Sequence, residues 1–266
     1  MGGGGSYYDR DTTSTSRRTS SGFSDVAQEA LARSRIDKAV LPVKRKLISP
    51  AKNPLVYAFD VTGSMGQLPK IIYDKMPMIA GQIAQNKYLK DPTMSLAAIG
   101  DIFSDSAPIQ IGNFSKLRSA DEWLKRLWLE GGGGGGAKES YEMTAYFYAN
   151  NCEMPNAESP LFLFTGDEGF YEDLVKNDLD EHFGGTHQNT SAKDVFNALK
   201  KNFKNNVFLI HRKYSAGDDS WIVKQWRNAL GPEHVIILWI TDIPKTFCYL
   251  IPSTKTNVLH SPILHG

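Results

Sequence analysis

Between residues 54 and 240 the chain alternates short, continuous apolar runs with longer amphipathic ones. The short runs are "LVYAFD" at 55–60, "MSLAAIGDIF" at 94–103, "PLFLFTG" at 160–166, "NVFLIH" at 206–211 and "HVIILWI" at 234–240. They lack the in-and-out alternation of a half-exposed strand, which predicts strands buried on both faces, as in parallel sheets. "APIQIGNF" at 107–114 predicts a further short strand beside the second of these. Helical spacing marks 68–86, "ADEWLKRLWLE" at 120–130, "ESYEMTAYFYANNC" at 139–152, 191–203 and 219–230. Strand and helix in turn predict an α/β, Rossmann-like doubly wound fold, with a mostly parallel sheet and helices on both faces. Ligands of such folds sit beyond the carboxyl ends of the strands, where the strand order reverses.

The pattern weakens at both ends. Residues 1–22, "MGGGGSYYDRDTTSTSRRTSSG", hold almost nothing apolar besides two tyrosines, so a flexible arm is expected. In 23–53 a short helix over "SDVAQEALARSR" is expected to lead into a basic, proline-containing linker, "LPVKRKLISPAKNP". The domain is placed at 54–240 and a C-terminal extension at 241–266.

Composition narrows the function classes. A chain of 266 residues with 41% hydrophobic residues can bury a large single core. Its 30 Lys and Arg nearly cancel 29 Asp and Glu, so charge offers no case for nucleic acid or a membrane surface as partner. Cys152 and Cys248 stand in no metal-binding pattern, and no apolar run reaches the roughly 18 residues of a membrane span. The expectation is a cytoplasmic protein.

The chemistry concentrates in "AFDVTGSMG" at 58–66. Asp60 ends the first strand, and Thr62 and Ser64 follow at alternate positions of a loop that Gly63 allows to bend sharply. Carboxylate and hydroxyl oxygens arranged in this way suit a hard cation such as Mg²⁺, which takes few protein ligands and keeps several waters. Two other readings exist for the same residues: a phosphoryl-accepting aspartate, or a turn in which Asp60 caps the next helix.

"DVTGSMG" after an apolar strand resembles the DxSxS loop of von Willebrand factor type A (vWA) domains, where it builds a metal-ion-dependent adhesion site (MIDAS). The resemblance covers roughly residues 54–240 and implies a six-stranded sheet of order 3-2-1-4-5-6. It gives Asp60, Thr62 and Ser64 the first three metal positions. The glycine-rich "GGGGGGAKESYEMT" looks like the variant second loop of some intracellular and bacterial members, which places Glu139 at the fourth position with Ser140 as its close competitor. "LFLFTGDEGF" supplies the last, Asp167, with Glu168 beside it; Gly166 separates Thr165 from Asp167, where the family often has them adjacent. Asp101, at the end of the second strand, is assigned to orienting the loop. The implied ligand is Mg²⁺, with Mn²⁺ or Ca²⁺ as substitutes. The implied function is to hold a protein partner through an acidic residue at the metal, within an assembly such as those built on AAA+ ATPases, with no catalysis.

An alternative enzyme reading rests on a looser likeness. "DVTGS" also resembles the phosphorylation loop of P-type pumps and haloacid-dehalogenase-like phosphatases, with Asp60 as nucleophile and Asp218 and Asp219 in a Mg²⁺ loop. Against it, Val61 replaces the pumps' Lys, and no second Asp stands at position 62 as general acid. "GGGGGGAKES" fails the phosphate-loop pattern because Ala137 precedes Lys138 and Glu139 replaces the hydroxyl. His182 and His187 match no zinc spacing, so 168–190 is expected to be a long solvated loop at the ligand edge.

Overall fold

The computed structural model of the chain describes residues 36–85, 89–129, 137–213 and 217–238. The predicted arm, the helix over residues 24–35, the glycine tract and the C-terminal extension lie outside the described residues.

In chain order, strand β1 (Leu47–Ile48) precedes β2 (Asn53–Asp60), helix α1 (Leu68–Gln85) and β3 (Pro92–Ile99). Two short strands follow, β4 (Ile109–Ile111) and β5 (Ser115–Lys116), then helix α2 (Ala120–Leu124) and β6 (Lys138–Glu139). Helix α3 (Tyr141–Asn150), β7 (Cys152–Glu153) and β8 (Leu161–Gly166) come next. Beyond them are β9 (Gly169–Phe170), β10 (Asp173–Leu174), α4 (Lys176–Phe183), β11 (Thr190–Ser191) and α5 (Ala192–Asn202). The described chain closes with β12 (Val207–Arg212), α6 (Ser220–Leu230) and β13 (Val235–Leu238).

The main sheet runs β13-β12-β8-β2-β3-β4, with β5 also paired to β3. Its five longest members are parallel, and only β4 and β5 are antiparallel. Seven strands stand where six were expected, because the predicted third edge strand is split. Ile109–Ile111 pair with Ala97–Ile99, the chain leaves the ladder, and Ser115–Lys116 return to Thr93–Met94. At the break Gly112 is pressed against the Leu96 carbonyl and Trp123, leaving little room for a side chain.

Every residue of β2 is buried, as its unbroken apolar run predicts. Leu55, Tyr57 and Phe59 enter a core layer with Leu68, Ile72, Met76 and Ile83 of α1 and Leu124 of α2. Val56 and Ala58 enter a second layer with Tyr141 and Phe147 of α3, Phe196 of α5 and Trp226 of α6. Helices therefore cover both faces of the sheet.

Three expectations are corrected. The helix over 120–130 stops at Leu124, because the Gln110 side chain takes both backbone groups of Trp128: its Oε1 accepts from the amide and its Nε2 donates to the carbonyl. The stretch 168–190 is no solvated loop but contains β9, β10, α4 and β11, and His187 is fixed between Tyr146, the Gly184 carbonyl and Asp180. The basic stretch before Pro54 is no solvated linker either: β1 pairs with β7, and Arg45 donates to the Ile111 carbonyl and to Asn113.

Candidate functional site

The strand register alone brings three side chains to one place. Phe59 pairs with Thr165, so the next step out puts Asp60 beside Gly166 and Asp167. His211 pairs with Gly166, which sets Arg212 across from Asp167. Asp60, Asp167 and Arg212 thus come from β2, from the residue just after β8, and from β12, at the carboxyl end of the sheet. β2 and β8 are also the strands between which the order reverses.

Local turn chemistry adds the hydroxyls. Asp60 Oδ1 accepts from the Thr62 amide at 2.8 Å and from Thr62 Oγ1 at 2.5 Å, an aspartate turn that folds the chain back over the strand end. A 3₁₀ turn over Gly63–Met65 follows, and Gly66 at φ 57° releases it into α1. Ser64 is thereby carried over β8, where its Oγ donates to Asp167 Oδ1 at 2.8 Å. Of the five residues the sequence singles out, four come together as two hydrogen-bonded pairs, Thr62 on Asp60 and Ser64 on Asp167. Glu139 lies in β6, buried, with Oε2 making no hydrogen bond among the described residues, and it reaches Asp60 only through its charge. Ser140 is turned away, its Oγ accepting from the Ile102 amide. Glu168 is also buried, and its carbonyl accepts from Trp226 Nε1.

Both hydroxyl protons are committed to carboxylates, yet Thr62 Oγ1 and Ser64 Oγ stand 3.3 Å apart. In octahedral coordination, neighbouring oxygens stand about 2.9 Å apart around Mg²⁺ and about 3.4 Å around Ca²⁺, from their usual bond lengths. The hydroxyl separation falls within that span, so the donor set fits a hard cation. Among the described residues, no three His, Cys, Asp and Glu side chains stand together in an arrangement that alone would hold a metal. The fit therefore depends on the hydroxyls.

Two residues that the sequence reading passed over complete the site. Tyr141, the first residue of α3, donates its hydroxyl to Asp60 Oδ2 at 2.7 Å, and both residues are wholly buried. A Cβ on Gly166 would lie 1.7 Å from that hydroxyl, so the glycine that separates Thr165 from Asp167 is the space Tyr141 occupies. Arg212 donates through Nη1 to Asp167 Oδ2 and to the Ser64 carbonyl. An arginine ending an apolar strand at the ligand edge was the available signal for it. Beside it, the buried His211 pairs with Asp219.

The electrostatics follow from burying several acids side by side. Burial first, and then Asp167, push the Asp60 carboxyl up to about 7, against the donors Thr62 and Tyr141. Asp167 is also raised by burial, held back by Ser64 and Arg212. Burial followed by the charges of Asp60, Asp101, Asp105 and Glu168 push Glu139 up to about 9. Asp101 is a loop organiser: it accepts from the Phe103 amide, Ser104 Oγ and the Tyr171 hydroxyl. The site as it stands gathers more carboxylates than cations.

No family model and no curated protein sequence matches the chain. Its fold is similar to that of proximal thread matrix protein 1 from the mussel byssus, with a TM-score of 0.51 and 8% identity over 79% of this chain and 49% of that one. It is likewise similar to the pilus adhesin SpaC from Lactobacillus rhamnosus GG, with a TM-score of 0.53 and 10% identity over 80% of this chain and 32% of that one. The open conformation of SpaC gives 0.52 and 7%. The chain thus spans about half the length of the mussel protein and about a third of the adhesin. At these identities the likeness is one of fold.

Proposed function

We propose that this chain is a vWA-like, Rossmann-like module that binds a protein partner through a divalent cation, Mg²⁺ by first choice, held at Asp60, Thr62, Ser64 and Asp167. The observation that carries the reading is the pair of hydroxyls at 3.3 Å whose protons both point into buried carboxylates. Thr62 and Ser64 present oxygens; Asp60 and Asp167 fix those oxygens and supply negative charge; Tyr141 and the Thr62 amide keep Asp60 in place. Glu139, pushed up to about 9 by burial and by the carboxylates around it, holds its proton more tightly than an ordinary glutamate in the cation-free protein. A bound cation would supply an open coordination position for a carboxylate of the partner.

Asp60 is wholly buried and its oxygens accept from three donors, which suits a residue that acts on a cation through Thr62 and through its charge, whereas a phosphoryl-accepting nucleophile needs an oxygen open to in-line attack. Calorimetric titration of Mg²⁺ and Mn²⁺ into the wild type and an Asp60→Ala, Ser64→Ala double variant tests the proposal. Saturable binding is expected in the wild type alone, and equal affinity in both proteins removes the site. An acid-labile phosphate on Asp60 after incubation with phosphoryl donors would replace this reading with the enzymatic one.

A further inference from the structure

We propose that Arg212 is the site's own resident cation, seated on Asp167 and Ser64 in the metal-free protein and displaced from Asp167 when a divalent cation enters. This rests on the metal-binding reading above and adds a competition built into the chain.

The geometry carries it in four steps. Arg212 contacts the two residues that join the metal loop to β8: Nη1 reaches Asp167 Oδ2 and the Ser64 carbonyl, the latter at 2.8 Å. Ser64 Oγ occupies the other oxygen of Asp167, so hydroxyl and guanidinium together use both carboxylate oxygens. A cation drawing on Ser64 and Asp167 would meet a positive group already in place, and like charges this close in a partly buried setting repel strongly. Among the described residues the arginine reaches the site through one nitrogen. Nη1 makes both contacts while Nε is buried with no hydrogen-bond partner among the described residues, so this is not the two-pronged clasp that makes arginine–carboxylate pairs hard to separate. Finally, the side chain of Arg212 is 20% exposed while that of Asp167 is fully buried. The arginine has a route to solvent and the carboxylate has none, so in an exchange of partners the arginine is the one that leaves.

Charge explains why an exchange is favourable. Asp60 and Asp167 together carry up to two negative charges, and Arg212 returns one. A divalent cation matches the pair, whereas the guanidinium leaves it one charge short.

The test uses the full chain with Arg212→Gln and Arg212→Lys. Calorimetry with Mg²⁺ and Mn²⁺ should show Arg212→Gln binding about tenfold more tightly than wild type, the scale of removing one like charge from a partly screened site, with Arg212→Lys close to wild type. In the wild type itself, ¹⁵N NMR of the Arg212 guanidinium should show slow rotation about Cζ–Nη in EDTA and fast rotation in saturating Mg²⁺, a readout that needs no variant to fold. Equal or weaker metal affinity in Arg212→Gln, or an Arg212 signal indifferent to Mg²⁺, overturns the competition while leaving the metal site standing. Absence of saturable binding in both wild type and Arg212→Gln overturns both proposals.

Discussion

Gly166 sits where only a glycine leaves room for the tyrosine that supports Asp60. A Cβ built there lies 1.7 Å from Tyr141 Oη, 2.6 Å from Cζ and 2.9 Å from Cε1. Tyr141 has little freedom to yield, being fully buried and packed edge-on against Trp226 at 5.1 Å and Phe164 at 6.1 Å. Gly166→Ala therefore overpacks the core at a cost of about 1–3 kcal/mol. It also pulls the phenol from Asp60, leaving a buried carboxylate oxygen short of a donor, for about another 1–3 kcal/mol. A loss of roughly 2–6 kcal/mol is a large share of a total near 5–15 kcal/mol. In a chain of this size it lowers the melting temperature by roughly 5–15 °C. Circular dichroism melts in EDTA measure it. Tyr141→Phe removes the closest atom but leaves Cζ and Cε1 inside contact distance, so the double variant should fall short of the two single losses added by about 1 kcal/mol or more. A Gly166→Ala protein melting within about 2 °C of wild type, or strictly additive variants, would refute the reasoning.

The buried acids predict a pH dependence. Asp60 at about 7, Glu142 at about 8 and Glu139 at about 9 are all raised, chiefly by burial. Between their ordinary values and these, the folded chain keeps protons that the unfolded chain has released, so stability falls as pH rises. Urea midpoints in EDTA should therefore decline from pH 5 to 9, and Glu139→Gln should flatten the upper part of that decline; a midpoint rising over the range contradicts the assignment. Away from the site, Ser95 Oγ donates to the Gly112 carbonyl and accepts from Tyr148, each at 2.6 Å in the core. Ser95→Ala should cost about 1–3 kcal/mol in urea unfolding, and less when Tyr148 is already Phe.

What the sequence made legible was whatever is decided locally. The apolar run of β8 and the hydroxyl spacing after Asp60 are short-range patterns, and the strand and the loop follow them. The truncated α2 was not legible, because the competitor for its hydrogen bonds is Gln110, 18 residues upstream. Arg212 and Tyr141 escaped for the same reason: their roles depend on a neighbouring strand and on the first turn of a helix that meet Asp60 and Asp167 only in the folded chain. Gly166 reads in sequence as an interruption between Thr165 and Asp167. In the fold it is the cavity that Tyr141 fills.

The order of the strands also sets a schedule for synthesis. β2 lies at the centre of the sheet, yet one of its two neighbours, β8, is made about a hundred residues later, Leu55 waiting for Leu161. At about 5–20 residues per second the ribosome leaves that flank unpaired for roughly 5–20 s. β2 is apolar on both faces, so for that interval the nascent chain carries an open, sticky strand edge. The same delay keeps Ser64 from Asp167, 103 residues away, so the site cannot close before β8 is made, and an intermediate halted before β8 has Asp60 without its companion charge.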